Sequence, residues 1–241
     1  MKKSLYKLYI LFVTPLFLVA TVLCAVTAAA SSLLGAERFG SLYPGMIWSR
    51  ITLALLQCPI EVNGRENIKQ GKCYVVTPNH TSALDIFLLY GYFGQSFKWV
   101  LKGAIRNIPI VGWACEKCGF VFVDHKSPMG AREVVLASER AIQDGYSIII
   151  FPEGSRTMDG SMRKLKRGAF RIAIDTKTPV LPVTIKGGYE ALSRDAIWPT
   201  PHPLTLTFYP EVNVADYPQT PEGVDQLSSD INQILRTGLE A

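Results

Sequence analysis

The sequence lacks the features that mark several common classes of protein. Its five cysteines, at positions 24, 58, 73, 115 and 118, are odd in number and lie mostly in apolar runs, which is not the pattern of a secreted disulfide framework. Cys115 and Cys118 form one C-x-x-C motif, a spacing that suits a redox pair or half of a zinc site. Because no second pair accompanies it, we interpret both as ordinary thiols and expect no metal and no redox cofactor.

The sequence also lacks the motifs typical of serine-dependent lipid hydrolases and of nucleic-acid-binding proteins. The sequence has no Gly-x-Ser-x-Gly elbow, which a lipid hydrolase with a serine nucleophile would need. The net charge of +5 is modest, so the placement of the basic residues matters more than their number. The basic residues are not interleaved with aromatic ones and no helix-turn-helix pattern accompanies them, so we expect no nucleic-acid partner.

One long hydrophobic run is present at the N-terminus. Residues 8–36 carry no charge and follow Lys2, Lys3 and Lys7. The run is long enough to cross a bilayer, which needs about 20 apolar residues. Three interpretations compete: a cleaved signal peptide with 28–30 as the cleavage site, a transmembrane helix, or a hairpin whose second helix lies within 41–58. We favour a membrane anchor over residues 1–58, which spans, re-enters or lies on the membrane.

From Pro59 onward, short apolar runs alternate with amphipathic segments, and no repeat occurs. This alternation predicts an α/β domain over residues 59–241, with a mostly parallel or mixed central sheet flanked by helices. Residues 108–113 are interpreted as a loop or short helix. Pro182 is expected to place its strand at an edge or a bulge, and 204–209 is expected to be a late edge strand. Strands are predicted at 60–64, 73–76, 97–101, 119–124, 147–151, 180–185 and 204–209, and helices at 86–90, 131–144, 168–175 and 227–236.

His80 and Asp85 form the first candidate site. They stand where an apolar strand passes into a helix. On one continuous helix, five residues would rotate the side chains about 140° apart, so they meet only if His80 lies in the preceding loop and Asp85 in the first turns. Such an aspartate fixes the imidazole tautomer and leaves the other nitrogen to accept a proton. The alternative is a helix start that Thr81 or Ser82 caps, with His80 merely nearby.

A second candidate site follows the strand at 147–151. In the segment 151–157, Gly154 shapes a turn, Glu153 can accept from a substrate hydroxyl, and Arg156 can grip a phosphate. The alternative is a structural Glu153–Arg156 ion pair on an ordinary turn.

A basic cluster lies just beyond that segment. It could hold a substrate phosphate, anionic lipid headgroups or an acidic carrier protein. For Lys164 and Arg171 we prefer a solvated surface. The cluster comprises Arg163, Lys164, Lys166, Arg167 and Arg171.

The order of these motifs resembles the glycerolipid acyltransferase superfamily, and within it the bacterial 1-acylglycerol-3-phosphate acyltransferases. The resemblance covers roughly residues 60–210. It rests on the HxxxxD motif at His80–Asp85, the segment 151–157 and the strand at 180–185. Lys102 with Ile108-Pro109 and Gly112 fits a further family block. At the end of that block the chain has His125 where the family usually has arginine, and Lys126 is a candidate substitute.

The resemblance implies a reaction and its partners. His80, oriented by Asp85, would deprotonate the free sn-2 hydroxyl of lysophosphatidic acid. The oxygen would then take the acyl group of acyl-CoA or acyl carrier protein, giving phosphatidic acid without a metal or cofactor. The alternatives are a sister enzyme using glycerol 3-phosphate, a lyso-ornithine lipid or another lysophospholipid, and a non-catalytic lipid-binding module.

The resemblance also assigns substrate contacts and a location. Glu153, Gly154 and Arg156 would organise the acceptor, with Lys102 and Arg167 as further phosphate contacts. Ser155 receives no nucleophilic role. The resemblance places the enzyme at a bacterial inner membrane, with its catalytic domain on the cytoplasmic face, where a lipid acceptor and a soluble thioester meet.

Overall fold

Two long helices precede the first strand in the structure, a computed structural model that describes residues 3–123 and 128–240. The helices are α1 (Lys3–Leu33), α2 (Glu37–Leu55), α3 (Leu84–Tyr92), α4 (Val111–Lys117), α5 (Pro128–Gln143), α6 (Gly168–Asp175), α7 (Gly188–Ala191) and α8 (Pro221–Glu240). The strands are β1 (Ile60–Asn63), β2 (Val75–Pro78), β3 (Phe97–Lys102), β4 (Val121–Val123), β5 (Ser147–Ile149), β6 (Val180–Lys186) and β7 (Leu204–Phe208). Short 3₁₀ turns occupy Arg65–Asn67 and Gly103–Asn107.

The seven strands form one mixed sheet in the order β1-β7-β6-β2-β5-β3-β4. The β6–β7 pairing is antiparallel and the other strand pairings are parallel. Helices cover both faces, because neighbouring residues of a strand point to opposite sides. Val76 joins a core built with α2 and α3, whereas Val75 joins a core built with α5, α6 and α8. The predicted fold class, an α/β sheet flanked by helices, is confirmed.

Two predictions about the sheet were wrong. Pro182 lies in β6, which is an interior strand, and β7 is also interior because β1 covers it. The Pro182 carbonyl accepts a hydrogen bond from the Tyr209 amide at 3.0 Å, one residue past the end of β7. The N–H and C=O of one strand residue point to the same side, so the donor that proline lacks falls where the β7 pairing ends.

Helices α1 and α2 form a hairpin that packs against the rest of the chain. The Tyr6 and Tyr9 hydroxyls donate to the carbonyls of Leu56 and Leu55 at 2.8 and 2.9 Å, and Trp48 donates to Thr21 at 2.9 Å. The alanines at 28–30, considered above as a cleavage site, lie inside α1.

Helix α1 contacts the α/β part near both of its ends. Near the N-terminus the Lys7 ammonium lies 5.8 Å from the centre of the Trp198 ring. Near the C-terminus Ala25 and Ala29 pack against Ala114 of α4. The division of the chain into domains 1–58 and 59–241 stays a prediction, since hairpin and sheet share this packed interface.

Helix α1 is also the one helix of the described residues that is long and apolar enough to cross a membrane. Only 11% of its most apolar stretch is buried, although a soluble core helix of this kind would be mostly buried. The N-terminal hydrophobic helix is therefore a candidate membrane anchor.

Candidate active site

His80 and Asp85 meet where β2 passes into α3. His80 lies in the loop after Pro78, and Asp85 is the second residue of α3. The His80 Nδ1 atom lies 2.9 Å from Asp85 Oδ2. The chain achieves this because the loop turns back over the start of the helix, which is the arrangement that the five-residue spacing requires.

Asp85 is held rigidly at this position. Its side chain is fully buried, and Oδ2 also accepts the backbone N–H groups of Thr81 and Ser82 at 2.8 and 2.9 Å. Both amides belong to the loop just before α3, so no helical carbonyl is available to accept them. The capping alternative occurs beside this contact: the Ser82 hydroxyl accepts the Leu84 N–H at 3.1 Å at the start of α3, while the Asp85 carboxylate holds His80 and the loop amides.

The His80 ring is fixed on its other sides as well. It stacks on Phe151 with ring centres 3.8 Å apart and planes 15° from parallel. The backbone of His80 is held as well, because its carbonyl accepts a hydrogen bond from the Thr157 amide at 3.1 Å. Because a carboxylate can only accept, Nδ1 carries the proton and Nε2 is left as an acceptor. The His80 side chain is mostly buried but lines a cavity, so this nitrogen is available to a bound molecule.

Glu153 occupies a different position from the one expected. Its side chain is buried, Oε1 accepts the His80 amide at 2.6 Å and Oε2 accepts the Arg163 amide at 2.7 Å. Burial raises the pKa of this carboxyl, while the two backbone N–H groups act to lower it. Both oxygens therefore bind backbone amides, and Glu153 does not line the cavity beside His80, so its expected contact with a substrate hydroxyl stays a prediction.

Gly154 is the residue that this turn requires. Its φ of +73° lies in the region that side-chain-bearing residues avoid, and an added Cβ would lie 2.6 Å from the Lys166 Nζ atom. A glycine here lets the lysine side chain lie directly over the turn that carries Arg156.

A cavity of about 500 Å³ opens beside His80. Its wall is largely apolar, and basic side chains line it as well. This combination suits a molecule with a charged headgroup and a hydrocarbon chain. The apolar lining includes Ile86, Trp99, Leu101, Ile105, Val123, Val134, Val135, Ile150, Phe151, Ala169 and Ile172, and the basic lining includes Lys102, Arg156, Lys166 and Arg194.

The structure brings Lys102, Gly154 and Arg156 to this cavity but not Arg167. The Arg167 guanidinium makes a bidentate ion pair with Asp225 of α8, is 64% exposed and does not line the cavity. The preceding residue, Lys166, lines the cavity, so the structure places Lys166 rather than Arg167 where the phosphate contact is expected. Sequence reasoning included Lys166 in the basic cluster but could not choose between neighbours in a turn.

The remaining basic residues divide in a similar way. Arg194 was missed, because it follows α7 in a loop that carries no recognisable motif. Arg163 bonds to Ser155, Arg171 pairs with Asp175 at 2.6 Å, and Lys164 is exposed. His125 and Lys126 lie outside the described residues. Within the described ranges, no cluster of three or more metal-ligating side chains occurs.

Comparisons with known proteins agree with this geometry. A model of the family described as Acyltransferase matches residues 59–186. A 1-acyl-sn-glycerol-3-phosphate acyltransferase of Pseudomonas aeruginosa is 31% identical over 59% of this chain and 54% of its own length. One from Limnanthes alba is 27% identical over 85% of this chain and 71% of its length. A chloroplastic relative from Brassica napus is 36% identical, and the match spans only 37% of that protein.

A solved structure extends the similarity to nearly the whole chain. The crystal structure of the 1-acyl-sn-glycerophosphate acyltransferase of Thermotoga maritima superposes with a TM-score of 0.81 at 26% identity. The superposition covers 99% of this chain and 95% of the other, so it includes the N-terminal hairpin. With the family model matching more than half of its residues, the chain belongs to the acyltransferase family.

Proposed function

We propose that this chain transfers a fatty acyl group from an acyl thioester to the sn-2 hydroxyl of lysophosphatidic acid, making phosphatidic acid. The observation that carries the proposal is the His80–Asp85 pair at 2.9 Å beside a cavity with basic and apolar walls. The printed names of the bacterial and plant relatives support the same acceptor.

His80 is the general base in this proposal. Nε2 takes the proton of the acceptor hydroxyl while Asp85 stabilises the imidazolium that forms. The hydroxyl oxygen bonds to the thioester carbonyl carbon, the carbon–sulfur bond breaks, and the sulfur leaves as a thiol with the proton from His80. A thioester is already activated, so the step needs no covalent enzyme intermediate.

The rigid setting of His80 contributes to the rate. A base of this kind supplies about 10²–10⁴-fold, and holding the reactants in line supplies much of the rest. The ring is fixed by Asp85, by Phe151 and, through its backbone, by Glu153. Glu153 is therefore proposed as a positioning residue rather than a substrate contact.

The basic side chains hold the acceptor phosphate in this proposal. Desolvating a phosphate dianion is costly unless several cations share it. Lys102, Arg156 and Lys166 all line the cavity, and Arg156 can bind two phosphate oxygens at once. The apolar wall then holds the acyl chain of the thioester donor.

The donor and the membrane complete the proposal. Acyl-CoA or acyl carrier protein is the soluble co-substrate, and the hairpin α1–α2 holds the enzyme on the lipid that carries the acceptor. We place the enzyme at the cytoplasmic face of a bacterial inner membrane, where both substrates are present.

The test is a His80→Ala variant in purified full-length protein. Acyl transfer to lysophosphatidic acid should fall about 10²–10⁴-fold, because the base is lost, while acceptor binding is retained. Binding is measured as the rise in melting temperature that added acceptor causes. His202→Ala is the matched control: His202 bonds to a backbone carbonyl and does not line the cavity, so its activity should stay at the wild-type level.

An acceptor panel separates the proposal from its alternatives. Wild-type protein is offered lysophosphatidic acid, glycerol 3-phosphate, a lyso-ornithine lipid and lysophosphatidylcholine with one thioester donor. No transfer to lysophosphatidic acid would refute the assigned acceptor. Undiminished transfer by His80→Ala would refute the assigned base.

A further inference from the structure

A short stretch between the 3₁₀ turn at Gly103–Asn107 and α4 presents large apolar side chains to solvent. Within this stretch, which we call the 108–113 segment, Ile108 is 48% exposed, and Ile110 and Trp113 are each 41% exposed. These three exposed side chains fall within six residues on the α/β part of the chain. Large apolar side chains exposed so near one another indicate a contact site more strongly than single exposed side chains do.

The backbone holds these side chains outward at a cost. Ile110 has a φ of +64°, a strained conformation that a β-branched residue rarely adopts. Gly112 packs so closely on the preceding turn that an added Cβ would lie 2.2 Å from the Arg106 carbonyl oxygen. The segment is therefore a built feature of the fold.

Arg106, in the 3₁₀ turn before the segment, holds the segment in place through two contacts. Its guanidinium lies 4.5 Å from the centre of the Phe122 ring and pairs with Glu116 of α4 at 2.6 Å. The 3₁₀ turn, β4 and α4 are thereby tied together. The exposed isoleucines and the tryptophan are carried on a rigid base.

The position of the segment indicates what covers it. On one side, Lys102 and Ile105 line the cavity that holds His80. On the other side, Ala114 of α4 packs on Ala25 and Ala29 of α1, the helix whose outer face is almost wholly exposed and apolar. The segment thus lies between the packing of α4 on α1 and the wall of the cavity.

We propose that the 108–113 segment is a second bilayer contact, which seats the cavity mouth on the lipid surface. The inference rests on one part of the proposed function, namely that the acceptor is a lipid. The occupant is a lipid bilayer, because the segment leads into α4, which packs on the exposed apolar helix α1, and because tryptophan and isoleucine are suited to the boundary between headgroups and acyl chains. An acceptor can then move from the bilayer into the cavity past Ile105 without crossing water.

Fluorescence quenching tests the contact without any turnover. Full-length protein is reconstituted into phosphatidylcholine vesicles with and without brominated acyl chains, and Trp113→Phe is measured alongside. The difference between the two proteins isolates Trp113 from the other three tryptophans. Quenching of this difference signal by brominated lipid is expected; an unquenched signal would overturn the proposal.

Kinetics test whether the contact serves delivery of the acceptor. The double variant Ile108→Ser and Ile110→Ser should raise KM about fivefold or more for a long-chain acceptor presented in vesicles, because apolar contact area is lost. Its turnover of a short-chain, monomeric acceptor should stay within about twofold of wild type. Leu136→Ser on α5, where the leucine is 42% exposed, is the matched control and should leave both values unchanged.

The outcomes separate this inference from the proposed function. An equal loss with both acceptors, or no loss with either, would contradict a role in delivery. If wild-type protein transfers to neither acceptor, the proposed function fails, while the quenching result still decides whether the segment meets the bilayer.

Discussion

At the residue scale, two neighbours in one turn have opposite surroundings. Lys166 lies over Gly154 at the cavity, whereas Arg167 points to α8 and pairs with Asp225. The family resemblance favoured Arg167, because it implied a phosphate contact at that position. Successive residues in a turn point in different directions, so only the coordinates distinguish them.

This difference gives a direct prediction. Lys166→Met keeps the apolar stem but removes the charge, so KM for lysophosphatidic acid should rise about tenfold, equivalent to about 1.4 kcal/mol. Arg167→Met should change KM by less than about twofold, since an exposed ion pair contributes about 0–1 kcal/mol to stability and does not touch the cavity. Steady-state kinetics of the two variants at one ionic strength provide the comparison. The opposite order of effects would restore the original assignment.

The His80–Asp85 pair was more accessible to sequence reasoning. Two residues five apart at a strand-to-helix junction can meet in few ways, so the contact followed from the spacing. Glu153 was not accessible in this way. Its partners are the backbone amides of His80 and Arg163. Every residue except proline has a backbone amide, so the sequence cannot indicate which of them will bind a carboxylate.

At the element scale, local pattern predicted the elements but not their order in the sheet. The apolar run at 147–151 and the amphipathic run at 131–144 correspond to β5 and α5. They could be predicted because the spacing of apolar residues along a strand or helix is a local property of the sequence. The interior position of β6 and β7 depends on β1, which pairs with β7 across more than 140 residues. A proline rule that considers one strand by itself cannot include such a partner.

Helices α5 and α6 contribute Val134, Val135, Ala169 and Ile172 to the apolar wall of the cavity, which leads to a prediction about acyl-chain length. Val135 lines the cavity, so Val135→Phe should shorten the space and shift preference toward shorter acyl thioesters. Each excluded methylene is worth about 0.8 kcal/mol, so a chain longer by two should lose about tenfold in relative kcat/KM. Competition between two donors of different length measures the ratio. Leu136→Phe, on the outer side of the same helix, is the control; an equal shift there would show that the wall is not responsible.

At the scale of the whole molecule, the proposed membrane contact depends on how helix α1 packs on the α/β body. Lys7 lies over Trp198 and Ala29 packs on Ala114, so one α/β body contacts α1 at points about 33 Å apart along the helix axis at 1.5 Å per residue. A helix crossing a hydrocarbon core of about 30 Å would carry these two points to opposite faces of the bilayer. The packing therefore favours α1 lying along the body and embedded in one leaflet, as the hairpin interpretation of the sequence requires.

Side-specific labelling checks this arrangement. Ser4→Cys, before the apolar run, and Glu222→Cys, on α8, are each placed in full-length protein in sealed inverted membrane vesicles and treated with a membrane-impermeant maleimide. Labelling is counted above that of the wild-type protein, whose own five cysteines give the background. Both positions should be labelled from the outside of the inverted vesicles, because a hairpin within one leaflet keeps the N-terminus and the catalytic part on the same face. Labelling of Ser4→Cys only after the vesicles are opened would show that α1 spans the bilayer. The contact between Lys7 and Trp198 could then not exist in the membrane.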